Sequence, residues 1–225
     1  MPTLLVCVEG NIGTGKSTLL NGIEALKKAG VATLQEPVDA WRDVKIGGGK
    51  NMLESMYDGT VSKAVFQLAV LQSRFGPLIA ALANKNNKVV FSERGPWSEK
   101  YVFARSNLSS DDFKCYDYAH RSLVRELFPL VGEVIVLFLH LTLPVDTTLE
   151  RIKLRGRTEE AKIDASYIET LDDANASMVK ELCSAEALGS DTITGLHHLF
   201  IDANCDYKTL LKAAWKGVGV VADSL

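Results

Sequence analysis

Gly10-Asn11-Ile12-Gly13-Thr14-Gly15-Lys16-Ser17 fits the spacing G-x-x-x-x-G-K-[ST], and no stretch of this chain is better suited to chemistry. Its glycines let backbone N–H groups turn toward a polyphosphate with no Cβ in the way. Lys16 supplies a point charge for β- and γ-phosphates, and Ser17 a hydroxyl for Mg²⁺. A helix starting inside the motif adds its unsatisfied N–H groups and the positive end of its dipole. At average amino-acid usage, the four fixed positions would match by accident in a chain of 225 residues with roughly a one per cent chance. The context lowers that further: Leu4 to Val8 is an apolar run long enough for a buried strand, and a helical stripe follows Thr18. The motif implies a nucleotide-phosphate site.

Other groups extend the chemistry. Glu36 follows a short β-type run, and Pro37 pushes it toward an extended conformation at the strand's end. Glu93-Arg94 follows the next such run, and ligands of open α/β sheets gather at these carboxyl ends. Arg151, Arg155 and Arg157 cluster late in the chain, where Gly156 lets the backbone swing out as a lid over about 151 to 164. Phosphoryl transfer needs cations around the equatorial oxygens, and arginines on a closing segment supply them. The plainer reading is a cation-rich helix end complementing its own dipole.

The elements that must position these groups alternate. Strands are expected at residues 4–8, 31–35, 88–92, 133–140 and 199–202. Helices are expected at 18–29, 51–57, 60–83, 97–104, from Ser109 or Ser110 to Pro129, 144–154, 164–188 and from 207 onward. Asn51 is the cap of its helix, and Gly76-Pro77 predicts a kink or break in the long one. Such alternation implies parallel βαβ units: an α/β fold with a sheet of about five strands wrapped by helices. Residues 1–225 suit one domain with a core large enough to stand without staples.

Composition excludes several classes. A formal net charge of −3 with no basic face or tail argues against nucleic acid as a partner. Apolar runs fall short of a membrane span. Cys7, Cys115, Cys183 and Cys205 are scattered without metal-ligand spacing and read as reduced thiols of an intracellular protein. The first strand begins too early for a signal or transit peptide, so a cytoplasmic protein is expected, a processed organellar form being the alternative. His197-His198 reads as a strand start rather than a metal pair.

A chain of motifs in order carries a family resemblance. They are Glu9 to Thr18, Gln35-Glu36-Pro37-Val38 with Trp41, Met56-Tyr57, Phe66-Gln67, Glu93-Arg94 with Lys100-Tyr101-Val102-Phe103, and Leu154-Arg155-Gly156-Arg157-Thr158-Glu159-Glu160. Asp206-Tyr207 closes the series. Together they resemble the deoxyribonucleoside kinase family, in particular its deoxycytidine and deoxyguanosine kinase branch. The chain departs from the family pattern at Gly95-Pro96-Trp97, where Ser, an aliphatic residue and an aromatic are usual; Pro96 suits a helix's first turn.

The resemblance implies a P-loop kinase fold with a mobile lid, ATP as donor, Mg²⁺, a homodimer and a role in deoxynucleoside salvage. It implies Glu36 as the base toward the nucleoside 5′-hydroxyl, Arg94 as its positioner, and Ser17 with Glu93 at Mg²⁺. Gly10 to Thr18 would bind ATP, with Arg151, Arg155 and Arg157 on its phosphates and Asp206-Tyr207 on the adenine side. Tyr57 and Glu160 would hold the sugar 3′-hydroxyl, and Gln67 would read the base edge inside an enclosure of Trp41, Met56, Phe66 and Phe103. In that family a basic and an acidic residue at the positions of Arg74 and Glu99 mark enzymes preferring deoxycytidine or purine deoxynucleosides over thymidine. Two other readings stay open: a nucleoside monophosphate kinase of thymidylate type, and a non-catalytic nucleotide-binding protein. The first needs a cationic subsite where Glu36 stands.

Overall fold

The strand β1, Thr3–Gly10, is buried from Leu4 onward and lies at the centre of a five-stranded parallel sheet of order β2-β3-β1-β4-β5 in a computed structural model. The structure describes residues 1–157, 160 and 163–222. The other strands are β2 (Val31–Leu34), β3 (Val89–Glu93), β4 (Val134–Thr142) and β5 (Ile193–Asp202). Pairing is parallel throughout, with Leu4 opposite both Val89 of β3 and Ile135 of β4. Since β1 is covered on both faces, its side chains alternate between two cores. Leu5 and Cys7 join Leu71, Phe75, Trp97, Phe128 and Phe138 on one side. Leu4, Val6 and Val8 join Leu19, Leu20, Ile23 and Leu210 on the other.

The helices are α1 (Lys16–Ala25), α2 (Val38–Asp43), α3 (Met52–Tyr57), α4 (Lys63–Ala83), α5 (Pro96–Ser98), α6 (Arg105–Asn107), α7 (Ser110–Leu127), α8 (Val145–Arg155), α9 (Ala165–Glu181) and α10 (Tyr207–Ala222). Between α5 and α6 the chain winds as a π-helical turn, Glu99–Ala104. Local chemistry explains several starts. Asn51 and Glu54 form a reciprocal capping box on α3, Ser109 caps α7, and Asp164 caps α9.

Several expectations are corrected. The long helix begins at Lys63, capped by Ser62, and not at Thr60. It also runs unbroken through Gly76-Pro77. An interior proline costs about 3 kcal/mol or more, but Leu71, Phe75, Leu78 and Leu82 are buried on the same helix, which outweighs that loss. By length and composition α4 could cross a membrane, at 21 residues and mean hydropathy 1.4, contrary to the expectation that apolar runs fall short. Its buried stripe makes it a core helix. The strand β5 spans Ile193–Asp202, much longer than 199–202, because His197, His198 and Gly195 sit on an edge strand that solvent reaches. The helix expected over 164–188 ends at Glu181, and a short 3₁₀ turn, Glu186–Leu188, follows.

Candidate active site

The loop from Gly10 to Thr14 leaves β1 and delivers the chain into α1. Gly10 has φ 133, and a Cβ there would come within 2.5 Å of the Leu141 carbonyl oxygen, so no other residue fits. Lys16 is buried, its Nζ donating to the carbonyls of Asn11 at 2.7 Å and Gly10 at 3.3 Å. Burial and the nearby Arg94 push its ammonium down to about 7. The Ser17 hydroxyl donates to Glu93 Oε1 at 2.9 Å. These are two hard oxygen donors, which suit Mg²⁺. Among the described residues no cluster of three or more His, Cys, Asp or Glu offers another metal site.

Beside this loop lies a cleft of about 380 Å³. Lys16, Ser17, Glu36, Glu93, Arg94, Arg155, Arg157 and Glu160 line its polar end. Trp41, Met56, Tyr57, Phe66, Gln67 and Phe103 line its apolar end, together with Glu99. The apolar wall is a satellite core under α2, α3 and α4: Trp41 packs edge-on to Phe66 at 6.1 Å, and its indole N–H donates to Ser73 Oγ at 3.0 Å. Gln67 is buried with its Oε1 unpartnered. A buried amide oxygen without a partner costs about 1–3 kcal/mol, and a nucleobase amino group would satisfy it.

The charges follow from this layout. Glu36 Oε1 accepts from Arg74 Nη1 at 3.0 Å and lies 4.0 Å from Arg94 Nε. Burial opposes ionisation of Glu36, but Arg74, Arg94 and Lys16 outweigh it and hold the carboxyl below its usual range. Burial raises the Glu99 carboxyl despite its bond to Arg74. Arg94 has φ 62 and a buried Nη1 without a partner, and its guanidinium lies over the Phe103 ring at 4.5 Å. A non-glycine residue in the left-handed region is strained, and strain of this kind clusters at functional sites.

A second cavity, about 430 Å³, opens on the other side of the loop. Gly13, Gly15, Lys16, Ser17, Thr18, Arg151, Arg155, Arg157 and Tyr207 border it. Tyr207 reaches it by lying on Gly22 of α1, where any Cβ would collide with the phenol oxygen.

Some expected residues are placed differently. The Asn11 side chain points away from the phosphate side, donating to the Ile168 carbonyl and to Asp172 Oδ1, both at 2.8 Å. Asp206 caps α10, accepting from the Lys208 and Thr209 amides at 2.9 and 3.1 Å, and borders neither cavity. Arg74 is absent from the cleft lining and stands behind Glu36 and Glu99. Glu160 is held by Arg155 at 2.5 Å and Arg157 at 3.3 Å, so the acid expected at the sugar and the arginines expected at the phosphates form one cluster. Thr158 and Glu159 of the expected lid lie outside the described residues.

The Gly95-Pro96-Trp97 departure is accommodated. Pro96 opens α5, the Gly95 amide donates to Glu9 Oε1 at 2.7 Å, and Trp97 is buried with its indole N–H on the Leu188 carbonyl. The cleft also includes Asn21, Asp39, Asn107 and Tyr167, which sequence reasoning missed, and Gln35, which it named only within a motif. Asn21 had a signal, one helical turn beyond Ser17. Tyr167 had none, since α9 reaches the cleft only in the folded chain.

A P-loop at the carboxyl end of a parallel sheet, with a half-buried carboxylate among phosphate cations and an apolar slot, defines a phosphoryl-transfer site toward a small acceptor. Residues 6–217 match the model of the deoxynucleoside kinase family, and the chain belongs to that family. It is 26% identical over 225 residues to deoxycytidine kinase 2 of Gallus gallus, covering 90% of this chain and 83% of that one. It is 33% identical over 172 residues to a thymidine kinase of Ictalurid herpesvirus 1, covering 76% and 72%. Human deoxycytidine kinase is 28% identical over 226 residues, covering 90% and 85%. A solved structure of deoxyadenosine kinase from M. mycoides with dCMP and dCDP bound superposes with TM-score 0.69 at 23% identity, covering 96% of this chain and 99% of that one, and shares its fold. The chain is thus an ATP-dependent phosphotransferase acting on deoxynucleosides, and the open alternatives of a monophosphate kinase and a non-catalytic binder give way.

Proposed function

We propose that this enzyme transfers the γ-phosphate of ATP to the 5′-hydroxyl of deoxycytidine or a purine deoxynucleoside in preference to thymidine. The observation that carries the reading is the position of Glu36, in one cleft with the P-loop lysine and with the Gln67 amide whose buried Oε1 has no partner. In this reading Glu36 takes the 5′-hydroxyl proton, the freed oxygen attacks the γ-phosphorus, and the bond to the ADP oxygen breaks. Arg94 orients the hydroxyl, while Lys16, Arg151, Arg155 and Arg157 meet the charge on the phosphates. Trp41, Met56, Phe66 and Phe103 enclose the base, Gln67 pairs with its edge, and Tyr57 and Glu160 hold the 3′-hydroxyl.

Ser17 and Glu93 would hold Mg²⁺, which when bound neutralises phosphate charge. Closure of the segment about 151 to 164 as a lid belongs to the same proposal, supported by the αL glycine at the end of α8, Gly156. So do salvage of deoxynucleosides, a homodimer and a cytoplasmic setting. The dimer is supported by the apolar Val65 and Leu68 exposed on α4, and the setting by four free cysteines.

Labelled ATP assayed against deoxynucleosides and deoxynucleoside monophosphates tests the reading. Phosphorylation of deoxycytidine or deoxyguanosine ahead of thymidine is expected, and labelling of monophosphates alone would sink it. Sedimentation of the purified protein tests the dimer.

A further inference from the structure

Arg74 supports the cleft from behind. Its side chain is 10% exposed and borders a small internal space with Phe75, Leu78 and Pro96. Nη1 donates to two carboxylates, Glu36 Oε1 at 3.0 Å and Glu99 Oε1 at 2.7 Å. Nη2 donates to the main-chain carbonyls of Glu93 and Arg94, the latter at 3.3 Å. These four partners are protein groups. A guanidinium engaged on both terminal nitrogens in this way is a strut.

The contacts on Glu36 are one-sided. Arg74 and Arg94 both approach Oε1. The other cations acting on Glu36 have nearer partners: Lys16 donates to P-loop carbonyls, and Arg157 pairs with Glu160. Among the described residues, Arg74 is therefore the cation within hydrogen-bond distance of the carboxylate.

We propose that Arg74 is a positioning residue: it anchors Glu36 through Oε1, presents Oε2 to the 5′-hydroxyl, and ties this base to Glu99 at the nucleobase end of the cleft. This rests on the reading of Glu36 as the base. A base acts only where its oxygen meets the proton in line, and a carboxylate pinned by one oxygen has lost most of its rotational freedom. Glu99 lines the cleft and shares Nη1. A nucleobase that shifts Glu99 therefore shifts the anchor of Glu36, and base identity reaches the rate as well as the affinity. Arg74 also holds the carbonyl of the strained Arg94, so the strut supports both groups that meet the 5′-hydroxyl.

The test is a double-mutant cycle on the full chain with Arg74→Met and Glu36→Gln, using deoxycytidine as acceptor and thermal unfolding as the check on folding. Arg74→Met alone is expected to lower kcat about tenfold while changing the nucleoside KM less than about threefold. In the Glu36→Gln background the same change is expected to cost no more than about twofold, because nothing remains to be positioned. An equal loss in both backgrounds, or an effect confined to KM, overturns the proposal and makes Arg74 a reader of the base. If Glu36→Gln alone retains full turnover, the base assignment fails instead, a distinguishable result. Should Arg74→Met not fold, Arg74→Lys takes its place in the cycle. It keeps the charge but lacks the fork, so an intermediate kcat loss confined to the Glu36 background is expected, and an equal loss in both backgrounds overturns the proposal.

Discussion

Asn11, in the phosphate-binding loop, donates its amide to the carboxylate of Asp172 on α9 at 2.8 Å. The same amide nitrogen reaches the Ile168 carbonyl, and Asn11 Oδ1 accepts from the Ile12 N–H, so one side chain joins the loop to a helix 157 residues away in sequence. Asn11→Ala is expected to destabilise the fold by about 1–3 kcal/mol, the cost of orphaning buried partners. It should also raise the KM for ATP by loosening the loop. Thermal unfolding and ATP titration measure the two effects, and an unchanged melting temperature would show the contact to be idle.

Glu36→Gln keeps the shape of the side chain and removes its basicity. General-base assistance is worth about 10²–10⁴-fold, so kcat is expected to fall by that order with ATP binding retained. Steady-state kinetics alongside nucleotide titration checks it, and near-normal turnover in a folded variant removes Glu36 from the role.

Arg155→Ala and Arg157→Ala should lower kcat more than they raise the KM for ATP, as expected of groups acting on the transition state. Both arginines also hold Glu160, so each variant should raise the nucleoside KM as well. A pure effect on the KM for ATP would mark the segment as a docking surface only.

Replacing Arg74 by Met and Glu99 by Ala together should raise the ratio of kcat/KM for thymidine over that for deoxycytidine, even as absolute turnover falls. The room for a thymine methyl comes from Glu99, which lines the cleft, while Arg74→Met removes the charge Glu99 no longer balances. Comparing four deoxynucleosides before and after the change decides it. A wild-type preference for thymidine would refute the base assignment.

His140 is buried between β5 and α9, its Nε2 within 3.0 Å of His198 Nδ1 and its ring stacked on Phe200 at 4.7 Å. Burial, with His198 beside it, pushes it down to about 3. The unfolded chain binds this proton below about 6.5 and the folded one does not, so stability is full above that pH and falls toward pH 3. His140→Phe keeps the stack and should flatten the fall of melting temperature between pH 6.5 and 4. An unchanged acid slope would assign the loss to other groups, such as His120, itself lowered to about 4 by burial and by Lys100.

What the sequence disclosed follows from how local the causes are. The P-loop, the Asn51 cap and Glu36 at the end of β2 are set within a few residues, and each is legible. The course of α4 through Pro77 was not, because packing by distant residues decides it. Nor was the length of β5, whose solvated edge erases the alternation that marks a strand. In the site, Arg74 and Glu99 were paired by the family resemblance, but the bond from Arg74 to Glu36 spans 38 residues and leaves no trace in any motif. Asp206 has a local role of the same legible kind: an acid before a helix is a cap, and it accepts from the first amides of α10.

The π-helical turn Glu99–Ala104 holds one residue more per turn than an α-helix would, and it presents both Glu99 and Phe103 to the cleft. Loss of a single codon within it would restore a plain α-turn and rotate Phe103 off the wall and out from under the Arg94 guanidinium. A one-residue insertion or deletion in this turn would thus reshape the cleft wall at two points at once, and reach Glu36 and Arg94 through Glu99 and Phe103.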